Sequence, residues 1–201
     1  MTAPAPSPSR AKKPEKKKKT VLQEIASWVR ALVAAVVIVA LLDAFVAQVI
    51  RVDGTSMEKM LHDGEVVLVS KLGGAYQRGD IVICRYPNRT DGSFDLGANL
   101  AVTRHTVFVK RLVALPGDSV EIRNGKLYVN DELVPDPASL GSTPRDYSRR
   151  VLGEDEYFVV GDNRFSSHDS RAADVGPISG DMLRGKVKCV IWPLNAIRGV
   201  N

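Results

Sequence analysis

The longest apolar stretch of the chain lies near its N-terminus. Residues 31–42 (ALVAAVVIVALL) carry no charge, and the apolar character extends over about residues 27–49. An α-helix needs about 20 mainly apolar residues to cross a bilayer, so the pattern predicts one transmembrane helix over 27–49. Arg30 lies near its start, where a long side chain can reach the lipid headgroups. Asp43 fits only if it lies near the far interface or against protein.

Two other interpretations of this segment stay open. A cleaved signal peptide needs small residues at an Ala-x-Ala-like cut site, and the nearest candidate, residues 45–47, begins with Phe45. A buried core helix is hard to reconcile with the lysine run that comes just before the segment. If the helix spans the membrane, that run fixes the N-terminus in the cytoplasm, and residues 50–201 lie on the outer side.

Beyond residue 50 the pattern changes to short β-rich runs that are bounded by Gly and Pro. Few segments show helical periodicity, so the pattern predicts a mainly β domain over 50–201. Asn124-Gly125 separates two runs and indicates a hairpin with a type I′ turn. Residues 135–155 are polar and rich in Pro and Gly, which predicts a loop or lid. The apolar runs are 65–70, 80–86, 106–115, 120–123, 126–129, 156–160 and 185–192.

The positive charge of the chain is concentrated in its first residues. The chain has 201 residues and a net charge of +5. Beyond the first 20 residues acids and bases nearly balance, so the charge belongs to a tail and not to a face that binds nucleic acid. Segment 1–26 is predicted to be a disordered cytoplasmic tail. Its basic residues are Arg10, Lys12, Lys13, Lys16, Lys17, Lys18 and Lys19.

Several kinds of site lack the residues that they need. The only cysteines are Cys84 and Cys189, so there is no disulfide framework and no zinc spacing, and whether the two pair stays open. His-x-x-x-His spacing and Gly-rich phosphate loops are absent as well. Asp162 and Asp169 would suit acid–base chemistry on sugars, but no supporting pattern accompanies them. We therefore expect no metal and no cofactor.

A serine nucleophile would need a base, and the histidines are poor candidates. His62, His105 and His168 lie outside any Gly-x-Ser-x-Gly or similar setting, so each is interpreted as a surface or loop residue.

A lysine is the remaining base, provided that it is neutral. Free lysine has a pKa of about 10.4, and burial among apolar groups lowers that pKa. Lys110 lies in an apolar run, and at strand period two it shares a face with Phe108, Leu112 and Ala114. Arg111 then points to the opposite face. The alternative is that Lys110 is only a charge at a strand edge.

Four stretches resemble, in the same order, the sequence boxes of the bacterial type I signal peptidases. They are residues 54–57 (GTSM), 78–82 (RGDIV), 110–118 (KRLVALPGD) and 161–171 (GDNRFSSHDSR). The resemblance covers the apolar span and nearly all of the domain that follows. It implies a mainly β, signal-peptidase-like catalytic core with a smaller inserted β region at about 122–154, preceded by one transmembrane helix.

The resemblance also implies a role for individual residues. Ser56 is similar to the nucleophile, and Lys110 is similar to the general base that later protonates the leaving amine. Ser167 is similar to a serine that orients this lysine. The backbone N–H of Ser56 would serve the oxyanion hole. Gly54 falls where some members have a serine as a second donor, so the second donor is open.

Four more residues resemble supporting positions of the family. Met57 is similar to a residue that lines the pocket beside the nucleophile. Asp162, Asp169 and Arg171 are similar to structural acids and a base near the site. We expect Asp169 and Arg171 to pair and to shape the wall of the site without taking part in the chemistry.

The first box departs from the family pattern Ser-Met-x-Pro-Thr-Leu. Lys59 replaces the proline and Met60 replaces the threonine. The change creates Ser56-x-x-Lys59, the spacing of penicillin-binding proteins and class A β-lactamases, although their Ser-Asp-Asn and Lys-Thr-Gly motifs are missing. The alternative function is therefore an acyl transferase that acts on cell-wall peptides. Lys59 is interpreted as a solvated charge near the membrane surface.

The resemblance implies a membrane-bound serine endopeptidase that removes signal peptides from exported preproteins and cuts after small residues in an Ala-x-Ala-like pattern. Its expected partners are secretory preproteins and the lipid bilayer, and no nucleic acid. Its expected location is the cell membrane, with a single span, a cytoplasmic N-terminus and an extracytoplasmic catalytic domain. A catalytically inactive relative that binds partners, and a processing peptidase with few substrates, stay open.

Overall fold

The structure is a computed structural model, and it describes residues 21–72, 74–87, 107–134 and 143–200, apart from the side chains of residues 42–44. His105, most of the tail predicted for 1–26 and the first part of the loop predicted for 135–155 lie outside these residues.

Helix α1, Val21–Phe45, covers residues 27–45 of the apolar span that was predicted over 27–49. Its stretch Val21–Leu41 has a mean hydropathy of 2.0, and no part of it is buried in protein. Twenty-one residues of α-helix are about 30 Å long, which matches the hydrocarbon core of a bilayer. A buried core helix does not fit this exposure.

The ends of α1 differ from the predicted limits. Residues 21–26, which were assigned to the tail, form its first turns. At the other end, residues 47–49 were assigned to the apolar span, but they begin strand β1, Ala47–Arg51. Their backbone groups pair with the neighbouring strand over the full length of β1, and this pairing outweighs the local apolar pattern.

Eight antiparallel strands form the main sheet. Their order is β1-β2-β11-β3-β4-β9-β10, and β12 pairs with β11. The strands after β1 are β2 (Val66–Ser70), β3 (Ile81–Arg85), β4 (Val107–Ala114), β9 (Glu156–Val160), β10 (Ile178–Ser179), β11 (Leu183–Trp192) and β12 (Arg198–Gly199). The prediction of a mainly β domain is confirmed.

A second sheet of four strands, in the order β7-β6-β5-β8, lies between β4 and β9 in the sequence. The predicted hairpin is confirmed, since Asn124 and Gly125 both have positive φ, 52° and 70°, between β5 and β6. The loop predicted for 135–155 is wrong in part, because residues 147–151 form β8 and pair with β5. The strands are β5 (Ser119–Arg123), β6 (Lys126–Val129), β7 (Glu132–Leu133) and β8 (Tyr147–Val151).

The core consists of three clusters of buried side chains. One cluster covers one face of the main sheet and includes Ile81 and Ile83. Another covers the opposite face and includes Val82, Cys84 and Leu112. The third cluster joins the two sheets. Strand β3 is therefore buried on both faces, and the strand beside it, β4, carries Lys110.

A β-bulge in β4 corrects one predicted contact. Leu112 pairs with Val159, but Ala114 pairs with Phe158, so one extra residue lies between them. The extra residue reverses the alternation of side chains. Ala114 therefore belongs to the cluster between the sheets and does not share the face of Lys110.

The two cysteines are both free. Cys84 lies opposite Leu183 at the start of β11, whereas Cys189 lies six residues further along that strand. Six residues of strand span about 20 Å, which is too far for a disulfide. Burial raises the pKa of Cys84 to about 12, so its thiol stays protonated.

Candidate active site

Ser56 lies in a turn between β1 and β2. The carbonyl of Met57 accepts hydrogen bonds from the N–H groups of Met60 and Leu61, which closes the turn on its C-terminal side. The carbonyl of Ser56 accepts a hydrogen bond from the N–H of Asn163 at 3.0 Å. The turn is thereby attached to the loop that follows β9.

Lys110 lies in β4 with only 2% of its surface exposed. Its Nζ is 2.7 Å from Ser56 Oγ and 3.1 Å from Ser167 Oγ. Val82 is its partner in the neighbouring strand. Burial lowers the pKa of Lys110, and the nearby Asp169 carboxylate opposes this effect only in part. A neutral amine at this distance can accept the proton of the Ser56 hydroxyl.

The hydroxyl of Ser167 has a fixed direction. It donates to Asp169 Oδ2 at 2.6 Å. Its oxygen is then an acceptor for an N–H of Lys110. A neutral amine has two N–H groups and one lone pair, so this contact leaves the lone pair available to Ser56.

Asp169 and Arg171 form the expected pair. Arg171 Nε and Nη2 donate to the two carboxylate oxygens of Asp169 at 2.7 and 2.8 Å. Burial works to raise the pKa of Asp169, but the Arg171 guanidinium and the hydrogen bonds from Ser167 and Gly161 hold that pKa below its ordinary value. Asp169 is therefore an ionised acceptor for Ser167.

Asp162 is fully buried and pairs with a residue that the family resemblance had not singled out. Arg111 Nε and Nη2 donate to its two oxygens at 2.7 and 2.8 Å. Because Arg111 follows Lys110 directly in β4, it lies on the opposite face of the strand. This pair joins the loop after β9 to the strand that carries the lysine.

Gly161 is a second residue that sequence reasoning did not assign to the site. A Cβ atom at this position would lie 2.3 Å from Ser167 Oγ and 2.5 Å from the carbonyl oxygen of Ser56. Only glycine leaves room for these two serines to approach each other. Its place at the start of the last sequence box was the available signal.

The N–H of Ser56 is the expected donor to the oxyanion. Within the residues that the structure describes, the N–H of Ser56 donates to no protein acceptor. The N–H of Gly54 is engaged, since it donates to Asp63 Oδ1 at 2.8 Å. Gly54 thus offers neither a side chain nor a backbone N–H as a second donor.

Met57 and Lys59 differ in their surroundings. Met57 is 1% exposed and packs in the core cluster with Leu61 and Val67, so its role in lining a pocket stays a prediction. Lys59 is exposed, whereas Lys110 holds the Ser56 hydroxyl.

The histidines that the structure describes do not contact the serine hydroxyl. His62 is exposed, and its N–H donates to Glu65. His168 Nε2 lies 2.9 Å from Asp174 Oδ2, on the exposed side of its loop. In the described part of the chain, no group of three or more His, Cys, Asp or Glu residues could hold a metal ion.

A pocket of about 440 Å³ borders Ser167 and Asp169. Its lining also includes residues 143–146, which lead into β8, together with Phe165 and Ala172. The pocket is beside the Ser56–Lys110 pair, since neither of those two residues lines it.

Comparisons with known proteins show the family of this chain. The family described as "Signal peptidase, peptidase S26" matches residues 25–192. The chain is 34% identical to a signal peptidase I of Bacillus licheniformis, over 92% of this chain and 97% of the relative. It is also 34% identical to signal peptidase I S of Bacillus subtilis, over 92% and 96%. The chain belongs to the signal peptidase family.

Other members of the signal peptidase family match less closely. Signal peptidase IB of Staphylococcus aureus is 30% identical over 88% of this chain and 94% of the relative. A crystal structure of a signal peptidase I from Enterococcus faecalis is 24% identical and has a TM-score of 0.43, covering 56% of this chain and 97% of that one. Family membership confirms the resemblance and makes the protein a serine peptidase of protein secretion.

Proposed function

We propose that the protein is a membrane-anchored endopeptidase that removes signal peptides from exported preproteins, with Ser56 as the nucleophile and Lys110 as the general base. The observation that carries the proposal is the 2.7 Å contact between Ser56 Oγ and the buried Lys110 Nζ. A serine hydroxyl needs a neutral base within hydrogen-bond reach, and burial lowers the pKa of Lys110, which favours the neutral amine.

The reaction then follows the acyl-enzyme route. Lys110 takes the proton of Ser56 as Oγ attacks the scissile carbonyl, and the N–H of Ser56 stabilises the oxyanion. The Lys110 ammonium gives the proton to the leaving amine, which frees the mature protein. Lys110 next takes a proton from water, the hydroxide attacks the ester, and the proton returns to Ser56 as the signal peptide leaves.

Asp169 acts as a positioning residue in this scheme. Replacement Asp169→Asn is expected to lower kcat by about 10–100-fold with little change in KM, because asparagine has one acceptor oxygen where the carboxylate has two and cannot hold both Ser167 and Arg171 in place. Steady-state kinetics on a peptide substrate measure kcat and KM separately. Asp174→Asn, an exposed carboxylate nearby, is the control and should keep wild-type kcat. An unchanged kcat in folded Asp169→Asn contradicts the assignment.

The pH dependence of cleavage reports the protonation of Lys110. Activity requires the neutral amine, so kcat/KM should rise with pH as Lys110 loses its proton. Because burial lowers the pKa of Lys110, the inflection should lie below the ordinary lysine value of about 10.4. A substrate without groups that titrate in this range keeps the profile free of substrate effects. A flat profile, or an inflection at the ordinary value, counts against Lys110 as base.

The proposed topology has a cytoplasmic tail before α1, a single membrane span within α1 (Val21–Phe45), and an outer catalytic domain that begins with β1 (Ala47–Arg51). The catalytic domain includes the inserted β region predicted at about 122–154. The apolar helix α1 and the lysine run before it support this orientation. An anchored enzyme meets its anchored substrate at a raised effective concentration. Protease added to sealed vesicles whose outer face is the outer face of the cell membrane should digest the catalytic domain and spare the tail.

Preprotein cleavage tests the function itself. The full-length protein in lipid vesicles should shorten a preprotein that has Ala at positions −1 and −3, and the mass of the product should place the cut after the Ala at −1. The matched substrate with Leu at −1 should be cut at least about 100-fold more slowly, since a small pocket rejects a larger side chain. No product from folded wild-type protein would favour an inactive relative.

A further inference from the structure

The turn that carries Ser56 has a backbone conformation that proline cannot adopt. Lys59 has a φ of 87°, whereas the proline ring holds φ near −65°. The family pattern places proline at this position, so the turn of this chain must be held by other means. A lysine in this region is strained, and such strain persists only when its surroundings hold it.

Arg198 holds the turn at its next residue. Its Nη2 donates to the carbonyl oxygen of Met60 at 2.6 Å. Arg198 begins β12, the last strand, and it reaches back across 138 positions of the chain. Met60 in turn donates its N–H to Met57, one residue after Ser56. The contact therefore connects the end of the chain to the turn of the nucleophile.

Glu65 fixes the position of Arg198. Its two carboxylate oxygens accept hydrogen bonds from Arg198 Nη1 and Nη2 at 2.7 and 2.8 Å. One of these oxygens also accepts the N–H of His62 at 3.0 Å. Glu65 is 5% exposed, whereas the Arg198 side chain is 33% exposed, so solvent screens the pair in part. Burial works to raise the pKa of Glu65, but Arg198 holds that pKa below its ordinary value, which keeps the pair ionised.

The structure assigns Glu65 and Arg198 as positioning residues for Ser56. This pair, the turn clamp, holds the turn of residues 57–62, which includes the strained Lys59, and so keeps Ser56 Oγ within reach of Lys110. Neither clamp residue is hydrogen-bonded to Ser56 or Lys110, so the clamp acts through the backbone of the turn. The assignment rests on the proposed role of Ser56 as nucleophile.

Arg198→Met tests the turn clamp, because methionine keeps an apolar stem and removes both hydrogen-bonding branches. We expect kcat for peptide cleavage to fall by about 30-fold with KM within about twofold, at a temperature well below the melting point of every variant. Arg149→Met is the matched control, since it removes a two-bonded ion pair with Asp131 on the second sheet. It should keep wild-type kcat.

A substitution at Lys59 should restore kcat in the Arg198→Met variant. Such a recovery is not expected if the Glu65–Arg198 ion pair only stabilises the fold. Glycine adopts positive φ without strain, so Lys59→Gly should restore kcat at least about fivefold in the Arg198→Met background. Lys59→Pro alone should lower kcat, although it brings back the residue of the family pattern. Arg198→Lys repeats the test if the methionine variant does not fold, because one ammonium cannot hold both Glu65 oxygens and Met60 together.

The outcomes separate the turn clamp from the proposed function. Wild-type kcat in Arg198→Met or Arg198→Lys, with only a lower melting temperature, overturns the clamp while Ser56→Ala stays inactive. Failure of the glycine rescue overturns it as well. If Ser56→Ala itself keeps activity, the proposed function fails, whatever the clamp variants do.

Discussion

Replacement Lys110→Ala is expected to lower kcat/KM for preprotein cleavage by about 10⁴-fold or more, because Ser56 then lacks the only base within hydrogen-bond reach among the described residues. The remaining activity would come from the oxyanion donor and from substrate binding. Lys110→Arg should be equally inactive, since a guanidinium keeps its proton. Initial rates on one preprotein, with far-UV circular dichroism to confirm folding, provide the comparison.

Lys59→Ala is the control that decides between the two lysines. Alanine keeps the Cβ of the residue and so leaves the backbone of the turn as it is, and Lys59 is exposed. Its activity should stay within about threefold of wild type, as for other exposed substitutions. If Lys59→Ala abolishes activity and Lys110→Ala does not, the Ser-x-x-Lys acyl transferase becomes the better interpretation.

Ser56→Ala is expected to have the largest effect, a loss of about 10⁵-fold or more. The variant loses the atom that attacks the carbonyl, while its backbone N–H remains. Removing Ser56 and Lys110 together should cost about as much as removing Ser56 alone, because two residues that act as a unit are not additive. Preprotein cleavage by the single and double variants measures this relation.

Ser148→Ala provides the matched control for the nucleophile. Ser148 is exposed on β8 of the second sheet, so its replacement should leave the rate unchanged. A Ser56→Ala variant that still cleaves at a substantial fraction of the wild-type rate would mean that another group attacks the substrate. If the loss of rate in the double variant equals the product of the two single losses, Ser56 and Lys110 act independently.

Local sequence patterns predicted the strand that carries Lys110 and one hairpin of the second sheet. The lysine in an apolar run lies in a buried strand, and the Asn124-Gly125 turn joins β5 to β6. Both signals depend only on neighbours along the chain, which is why a single sequence contains them.

Other features have no local signal. Strand β8 is polar and mostly exposed, and it is a strand because β5 supplies its hydrogen-bond partners. The bulge before Ala114 likewise depends on the fit between β4 and β9. Composition predicted a loop at β8 and a regular strand at β4. Pairing with neighbouring strands changed both.

Contacts between distant residues were the hardest to foresee. Ser56 and Lys110 are 54 positions apart, and only the resemblance to a known family joined them. Glu65 and Arg198 are 133 positions apart, and nothing in the sequence linked them. The pairing of Arg111 with Asp162 is of the same kind. Such contacts follow from the fold and not from spacing.

A structure of the full-length protein with a peptide boronic acid that ends in Ala-x-Ala would show which side chain attacks the scissile carbonyl. The boron atom imitates the scissile carbonyl and forms a tetrahedral adduct with the attacking hydroxyl. We expect a bond from boron to Ser56 Oγ, with Lys110 Nζ within hydrogen-bond distance of that oxygen. A bond to any other side chain, or no adduct at saturating inhibitor, would contradict it.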